Sequence, residues 1–364
     1  MCINTGIETL DNRIFEYFPK KNLDESNLAV IGYKHLALVG TESLKEKVVV
    51  LLLTERQESL INDIHEIGAV SIVTLDNRQS PRSVTQELVA ESLLLMREQL
   101  GTPDQFFNAL KAFSQPIYSA HDLNSPSSFE ILARLQFGSG RLITPNVIFK
   151  WINPVDSALI FEHLLRQTEQ NHTASSFSFN IDCASVLSTE GFSIIQRAVE
   201  THNSKTLTLE ITESAFSTHV RDINLLNSRF EILRRLGVRF SLDDFGKKNS
   251  NYDRLHAYSD LFSQVKLDKK LFRQLSDHSV EDKADIQESI HEASSRLIKL
   301  LDAMPISVTE VVVEGIETPY QSKVIQQLHK DLKGSNSAIE IKAQGYLFGR
   351  PAPFEMDGRS EIAI

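Results

Sequence analysis

What most constrains this chain is a repeated pattern of short apolar runs, each ending in an acid, an amide or a lysine. Thr206-Leu207-Thr208-Leu209-Glu210 carries its acid at the end of an apolar run. Val238-Arg239-Phe240-Ser241-Leu242-Asp243-Asp244-Phe245-Gly246 ends in two adjacent carboxylates, followed closely by a glycine. In Val311-Val312-Val313-Glu314-Gly315-Ile316-Glu317 an acid follows three β-branched residues. Gln264-Val265-Lys266-Leu267-Asp268 places a lysine at the comparable point, and Ser178-Phe179-Asn180 and Ala343-Gln344-Gly345 place amides there. Short runs rich in β-branched and aromatic residues read as strands, here Ser176–Ile181, Thr206–Ile211, Val238–Asp243, Gln264–Leu267, Thr309–Val313 and Ala343–Leu347. Helical periodicity at Phe192–Glu200 and Asn224–Leu236 falls between them. A β-then-α rhythm kept up for about 250 residues suits a (β/α)₈ barrel, whose chemistry collects at the C-terminal strand ends.

Several carboxylates converging on one barrel mouth repel one another unless positive charge sits among them. Mg²⁺ and similar hard cations take oxygen ligands from Asp, Glu and Asn. The chain has no HxH or HExxH pattern, which disfavours an imidazole-rich zinc centre. Two such ions about 3.5–4 Å apart activate water and clamp a phosphoryl group, so the residues point to metal-assisted phosphoester hydrolysis. Each piece taken singly also fits a cap, an Asx turn or a solvated lysine. Six of them in chain order carry the inference together.

The length of 364 residues suggests two domains, or a large barrel with a smaller module. A net charge of −10 argues against a nucleic-acid binder, which needs clustered Lys and Arg to displace counterions. Cys2 and Cys183 form no CxxC spacing, so a reducing compartment is expected. Met1–Leu10 has neither basic nor apolar leader character, and the apolar run Val48–Leu53 is far short of the roughly 20 residues of a membrane span. The expectation is a cytoplasmic protein with no membrane partner. Near the amino terminus, Lys47–Thr54 and Val70–Leu75 read as strands, with helices expected from Glu55 to Gly68 and from Ser83 to Leu100. That is a small α/β domain. Gly101-Thr102-Pro103-Asp104 combines a helix stop with a turn and divides the chain into residues 1–102 and 103–364. The polar stretch Lys333-Gly334-Ser335-Asn336-Ser337 reads as a surface loop.

With these residues in view, the second part resembles the EAL-domain cyclic-di-GMP phosphodiesterases. The likeness runs from about Phe106 to about Phe354. It is carried by Ser114-Gln115-Pro116-Ile117, Phe129-Glu130-Ile131-Leu132-Ala133-Arg134 and Phe179-Asn180-Ile181, then by Glu210-Ile211-Thr212-Glu213-Ser214 and Asp243-Asp244-Phe245-Gly246. Lys266-Leu267-Asp268, Glu314-Gly315-Ile316-Glu317-Thr318 and Gln344-Gly345-Tyr346-Leu347-Phe348-Gly349-Arg350-Pro351 complete it. Glu130-Ile131-Leu132 stands where the family has E-A-L.

The resemblance implies a TIM-like barrel with an antiparallel first strand, and hydrolysis of cyclic-di-GMP to linear pGpG with two Mg²⁺ or Mn²⁺ ions. By matching position, Glu130, Asn180, Glu210 and Asp243 would ligate one ion, and Asp243, Asp244 and Glu314 the second. Lys266 would orient the attacking water or offset phosphate charge, and Gln344 would help place that water. Gln115 and Arg134 would hold the substrate, with Asp268 and Glu317 on the substrate side. Glu213 joins the catalytic group, and Glu213 and Glu317 would support neighbouring loops and ligands. A homodimer is also implied.

One loop departs from the family pattern. Where the family reads T-G-Y-S-S-L after Asp-Asp-Phe-Gly, this chain reads Lys247-Lys248-Asn249-Ser250-Asn251-Tyr252. Lys248 replaces a glycine, which strains any conformation with positive φ, and two added cations near the acids would compete with a metal. The alternative expectation is therefore a degenerate EAL protein that binds cyclic-di-GMP or a protein partner without hydrolysis. The first hundred residues resemble, without specificity, the end of either a receiver-like or a worn GGDEF domain. They hold no G-G-[DE]-E-F signature, so synthesis of cyclic-di-GMP is not expected, and the best description is a divergent regulatory module that an upstream protein partner would address.

Overall fold

Burial on both faces selects near-continuous apolar strands, and the barrel strands follow that rule: all four residues of Gln264–Leu267 and of Glu310–Val313 are buried. The structure, a computed structural model, describes residues 2–4, 28–32, 48–54, 70–75, 105–136, 142–143, 153–169, 176–202, 206–212, 222–246, 261–276, 286–334 and 338–354. The chain falls into two compact units, residues 1–111 with 133–152, and residues 112–132 with 153–364.

In the first unit, strands β1 (Cys2–Asn4), β2 (Leu28–Gly32), β3 (Val48–Thr54) and β4 (Val70–Leu75) pair in parallel, in chain order. β3 and β4 are the two strands expected there. The expected helices of that region and its glycine-proline boundary lie outside the described residues. A single helical turn, α1 (Gln105–Ala109), precedes the barrel strands.

The barrel is built from β5 (Leu110–Ser119), β6 (Asp122–Gln136), β8 (Ser176–Asn180), β9 (Thr206–Thr212), β10 (Val238–Phe245), β11 (Gln264–Leu267), β12 (Glu310–Val313) and β13 (Glu340–Ala343); short β7 (Leu142–Ile143) extends β6, and β14 (Ala352–Pro353) extends β5. Neighbours from β6 to β13 pair in parallel, β5 runs antiparallel to β13, and a β5–β6 pairing closes the cylinder. The antiparallel first strand follows from the tight turn at Ala120–His121, because a two-residue link joins only antiparallel neighbours. The last expected strand, Ala343–Leu347, forms earlier, at Glu340–Ala343. Gly345 abuts the backbone of Ile316, and the chain turns there instead of extending.

Helices α2 (Pro154–Thr168), α3 (Cys183–Leu187), α4 (Thr189–Thr201), α5 (Ile223–Arg235), α6 (Lys269–Ser276), α7 (Ile286–Asp302) and α8 (Pro319–Gly334) connect the strands. Local sequence explains their starts. Asn153 caps α2 by accepting from the Asp156 amide ahead of Pro154, and Ser188 caps α4 by accepting from Gly191. Lys333 and Gly334, expected in a loop, form the last turn of α8. Aromatic pairs seal helix to sheet: Phe161 meets Phe179 edge to face, and Phe230 stacks on Phe240. Among the described residues no helix is long and apolar enough to cross a membrane.

Candidate active site

Side chains alternate along a strand, so residues two or four apart share a face. This places Glu130 of β6, Glu210 of β9, Asp243 of β10 and Lys266 of β11 in the barrel interior near its C-terminal end, with Glu314 just past β12. Lys266 is the hub. Its Nζ lies 2.9 Å from Glu210 Oε2, 2.9 Å from Glu314 Oε1, 3.2 Å from Glu130 Oε2 and 3.7 Å from Asp243 Oδ1. It reaches Glu130 although three strands of the sheet order separate β6 from β11, so the contact crosses the lumen.

Two amides complete the cluster around Glu130. Asn180 Nδ2 donates to Glu130 Oε1 at 2.9 Å, and Gln344 Nε2 donates to Glu130 Oε2 at 2.7 Å. Gln344 Nε2 is also 3.3 Å from Gln115 Oε1, and Gln115 Nε2 donates to the Gly349 carbonyl at 3.1 Å. The amide chain ties β5 to the loop after β13, where Gly349 packs against the Pro116 ring.

Charge in this cluster is unbalanced, with four carboxylates sharing one ammonium. Burial opposes the charge on Lys266, but the surrounding carboxylates outweigh it and hold the ammonium well above its usual range. Burial also pulls Glu130 up, yet Lys266 and the Gln344 and Asn180 donors keep it below the ordinary carboxylate range. The others lose the competition. Burial, then neighbouring acids, push Glu210 well up despite Lys266, raise Asp243, and lift Glu314 to about 7. Glu210 Oε1, Asp243 Oδ1 and Gln344 Oε1 are buried and accept no hydrogen bond among the described residues.

The backbone around the acids is also unusual. Asp244 has φ 60°, a left-handed conformation that costs a non-glycine residue energy and recurs at functional sites. Gly246 and Gly315, just after the acids of β10 and β12, have φ 99° and 74°.

Donors of carboxylate and amide type, with orphaned oxygens and too little positive charge, suit a hard divalent cation. Among the described residues no three carboxylate, imidazole or thiol groups already stand in a cation-ready cluster. The Lys266 ammonium stands among the acids instead.

The remaining expected residues are placed as follows. Asp268 is buried and caps α6, accepting from the Lys270 amide at 2.9 Å. Glu317 is exposed and pairs with Arg273 at 2.7 Å. Arg134 donates to the Ala133 carbonyl at 2.8 Å. Glu213 and the loop Lys247–Tyr252 lie outside the described residues. Sequence reasoning missed Arg273 and also Gln321, whose Oε1 accepts from the Glu317 and Thr318 amides. No spacing rule links α6 to the loop after β12, so only three-dimensional proximity reveals Arg273, whereas Thr318-Pro319-Tyr320-Gln321 is a capping-box spacing that could have marked Gln321.

The EAL domain description matches residues 106–351, more than half the chain. The chain belongs to the EAL domain family. Among curated relatives, it is 32% identical over 154 residues to the oxygen sensor protein DosP of Escherichia coli, covering 41% of this chain and 15% of that protein. It is 33% identical over 152 residues to the bifunctional diguanylate cyclase/cyclic di-GMP phosphodiesterase MucR of Pseudomonas aeruginosa, covering 41% of this chain and 18% of that one. The chain thus spans less than a fifth of the length of either. The chain also overlays the EAL enzyme Bd1971 in its cGMP-bound form, with TM-score 0.53 and 22% identity, over 82% of this chain and 74% of that structure. That likeness is one of fold.

Proposed function

We propose that this EAL protein hydrolyses cyclic-di-GMP, adding water across one phosphodiester to give linear pGpG. The observation that carries the reading is the charge imbalance at the barrel mouth: two buried and two half-buried acids around a single lysine, with Glu210 Oε1 and Asp243 Oδ1 accepting no hydrogen bond among the described residues. Family membership and the name of the MucR relative supply the substrate class.

Glu130, Asn180, Glu210 and Asp243 would hold one Mg²⁺ or Mn²⁺, and Asp243, Asp244 and Glu314 a second; bound there, the ions would supply an acidified water and neutralise phosphate charge. Lys266 keeps its proton throughout and offsets the acids that flank it. Gln344 holds Glu130 through its amide nitrogen, leaving Oε1 to accept from a water. Gln115, fixed by Gly349, orients a base or ribose, and Arg134 takes a phosphate. Asp268 and Glu317 act on the substrate side by setting the segments that follow Lys266 and Glu314. Regulation through residues 1–102 and a homodimeric state complete the reading.

The test incubates purified protein with cyclic-di-GMP and Mn²⁺ or Mg²⁺ and follows pGpG by chromatography. Turnover that needs the cation, and that falls roughly a thousandfold in Glu130→Ala, is expected. Tight binding of cyclic-di-GMP with no pGpG at high enzyme concentration would sink the enzymatic reading in favour of a binding-only EAL protein.

A further inference from the structure

Helix α6 follows Lys266-Leu267-Asp268 directly, and its first residues touch both acid-bearing loops on either side. Gly246, which closes the Asp243-Asp244-Phe245 segment with φ 99°, packs so tightly on Leu271 that a Cβ built there overlaps the Leu271 side chain. Gly315, next to Glu314 with φ 74°, packs as tightly on Lys269, so its Cβ would overlap that of Lys269. Gly345, next to Gln344, is pressed onto the backbone of Ile316. Hydrogen bonds follow the same path. Asp268 N donates to Phe245 O at 2.9 Å, Glu314 N to Leu267 O at 3.1 Å, Gln344 N to Val313 O at 2.9 Å and Ile316 N to Gln344 O at 3.1 Å. Arg273, one turn further along α6, reaches Glu317.

The segments that follow β10, β11, β12 and β13 are therefore seated each on the next, with α6 between the loops of β10 and β12. Both glycines have positive φ and sit against α6 with no room for a side chain, so neither loop can move toward the helix. Dense packing transmits a displacement of α6 to both loops.

We propose that α6 is a wedge that sets the spacing between Asp243–Asp244 and Glu314, with Leu271 and Lys269 as its positioning residues and Arg273–Glu317 as its outer brace. The catalytic consequence rests on the hydrolytic reading above; the mechanical claim does not.

The experiment uses the full chain and measures amide hydrogen exchange without added metal, then Mn²⁺ affinity by calorimetry and kcat and KM for cyclic-di-GMP. In Leu271→Ala, exchange should speed up about tenfold in peptides covering both Asp243–Gly246 and Glu314–Glu317, because the support of both loops is lost. Mn²⁺ affinity should fall several-fold and kcat by about tenfold with KM held, since the defect is in the placement of the acids. Leu271→Met, of similar volume, should restore all three readouts. Leu328→Ala, a buried position in α8, is the control for general destabilisation: its melting temperature should drop with the two loops unchanged. If Leu271→Ala does not fold, Leu271→Val gives the same pattern at smaller amplitude. Exchange confined to one loop, or equal in Leu271→Ala and Leu328→Ala, overturns the wedge. Two-loop acceleration in a protein whose wild type binds no Mn²⁺ and makes no pGpG leaves the wedge standing and overturns the hydrolytic reading.

Discussion

The two ends of the barrel interior are built from the same strands with opposite charge balance. At the C-terminal end Lys266 faces four acids. At the N-terminal end one acid, Glu310, faces two cations: Arg239 Nη2 lies 3.0 Å from its Oε2 and Lys342 Nζ 2.9 Å from its Oε1, with Gln264 donating to the same carboxylate. Burial pulls Glu310 up, but Lys342 and Arg239 outweigh it and hold it below the ordinary carboxylate range. Arg239 and Asp243 share β10, Gln264 and Lys266 share β11, Glu310 opens β12 with Glu314 just past its end, and Lys342 lies in β13 with Gln344 just past its end. The spacing is two or four residues each time, so both layers lie on the same strand faces.

The lower layer is the structural one. The lower acid is over-compensated and nearly all its hydrogen-bonding capacity is used, as expected of a group that holds strands in register. The upper acids are under-compensated: Glu210, Asp243 and Glu314 have raised proton affinity, and Glu210 Oε1 and Asp243 Oδ1 accept no hydrogen bond among the described residues, a state that a folded protein tolerates where something positive is to bind.

The largest effect should come from removing the upper hub. Lys266→Met leaves two buried and two half-buried carboxylates without their cation and should cost about 3–5 kcal/mol of stability, measured by urea titration in the presence of a chelator. Restoration of most of that loss by millimolar Mn²⁺ would sharpen the contrast between the layers; no response to metal would break it.

The lower layer supplies the next effect. Glu310→Gln leaves Arg239 and Lys342 unpaired and should cost about 1–3 kcal/mol, while Mn²⁺ affinity changes little. A large loss of Mn²⁺ affinity would show that the layers are not separable.

Glu210→Gln runs the other way. Neutralising one crowded acid should stabilise the metal-free protein by about 1 kcal/mol and abolish cation-dependent turnover, the trade expected where function keeps like charges together. Destabilisation comparable to Lys266→Met would mean that Glu210 is bound as firmly as Glu310.

The smallest effect is in the pH dependence, where the layers should have opposite signs. Glu314, lifted to about 7, holds more protons folded than unfolded, so between its ordinary range and about pH 7 metal-free stability falls as pH rises. Glu310, held low, adds stability that is fully present above the ordinary carboxylate range and disappears as pH falls through its folded value. Melting temperatures in chelator should therefore decline toward pH 7.5 in the wild type and decline less steeply in Glu314→Gln. The gap between wild type and Glu310→Gln should close in acid. A wild-type profile that rises toward pH 7.5 without metal would contradict the upper-layer assignment.

Much of the barrel was legible in one dimension, because strand and helix periodicities are local. The strands around Phe177, Leu209, Phe240, Val265 and Val312 formed where apolar runs place them, and the acids at their ends came with them. The strand at Ala343 was placed late because Gln344-Gly345-Tyr346 still reads as extended sequence; contact between Gly345 and Ile316, which ends the strand, joins residues far apart in the chain. The lower layer was in principle readable by stepping back two or four residues from each site residue, but the sequence offers no reason to favour that face.

By itself, then, the sequence determined the elements, the identity of the side chains at the strand ends and the family to which the barrel belongs. Only the tertiary structure decided how they pair. Lys266 became the common partner of acids up to 136 residues away, and Gln115 met Gly349 across 234. It also turned Glu317 to Arg273 and seated Gly246 and Gly315 on α6. The reason is closure: periodicity tells which face a residue occupies, whereas the order of strands around the cylinder decides what stands opposite.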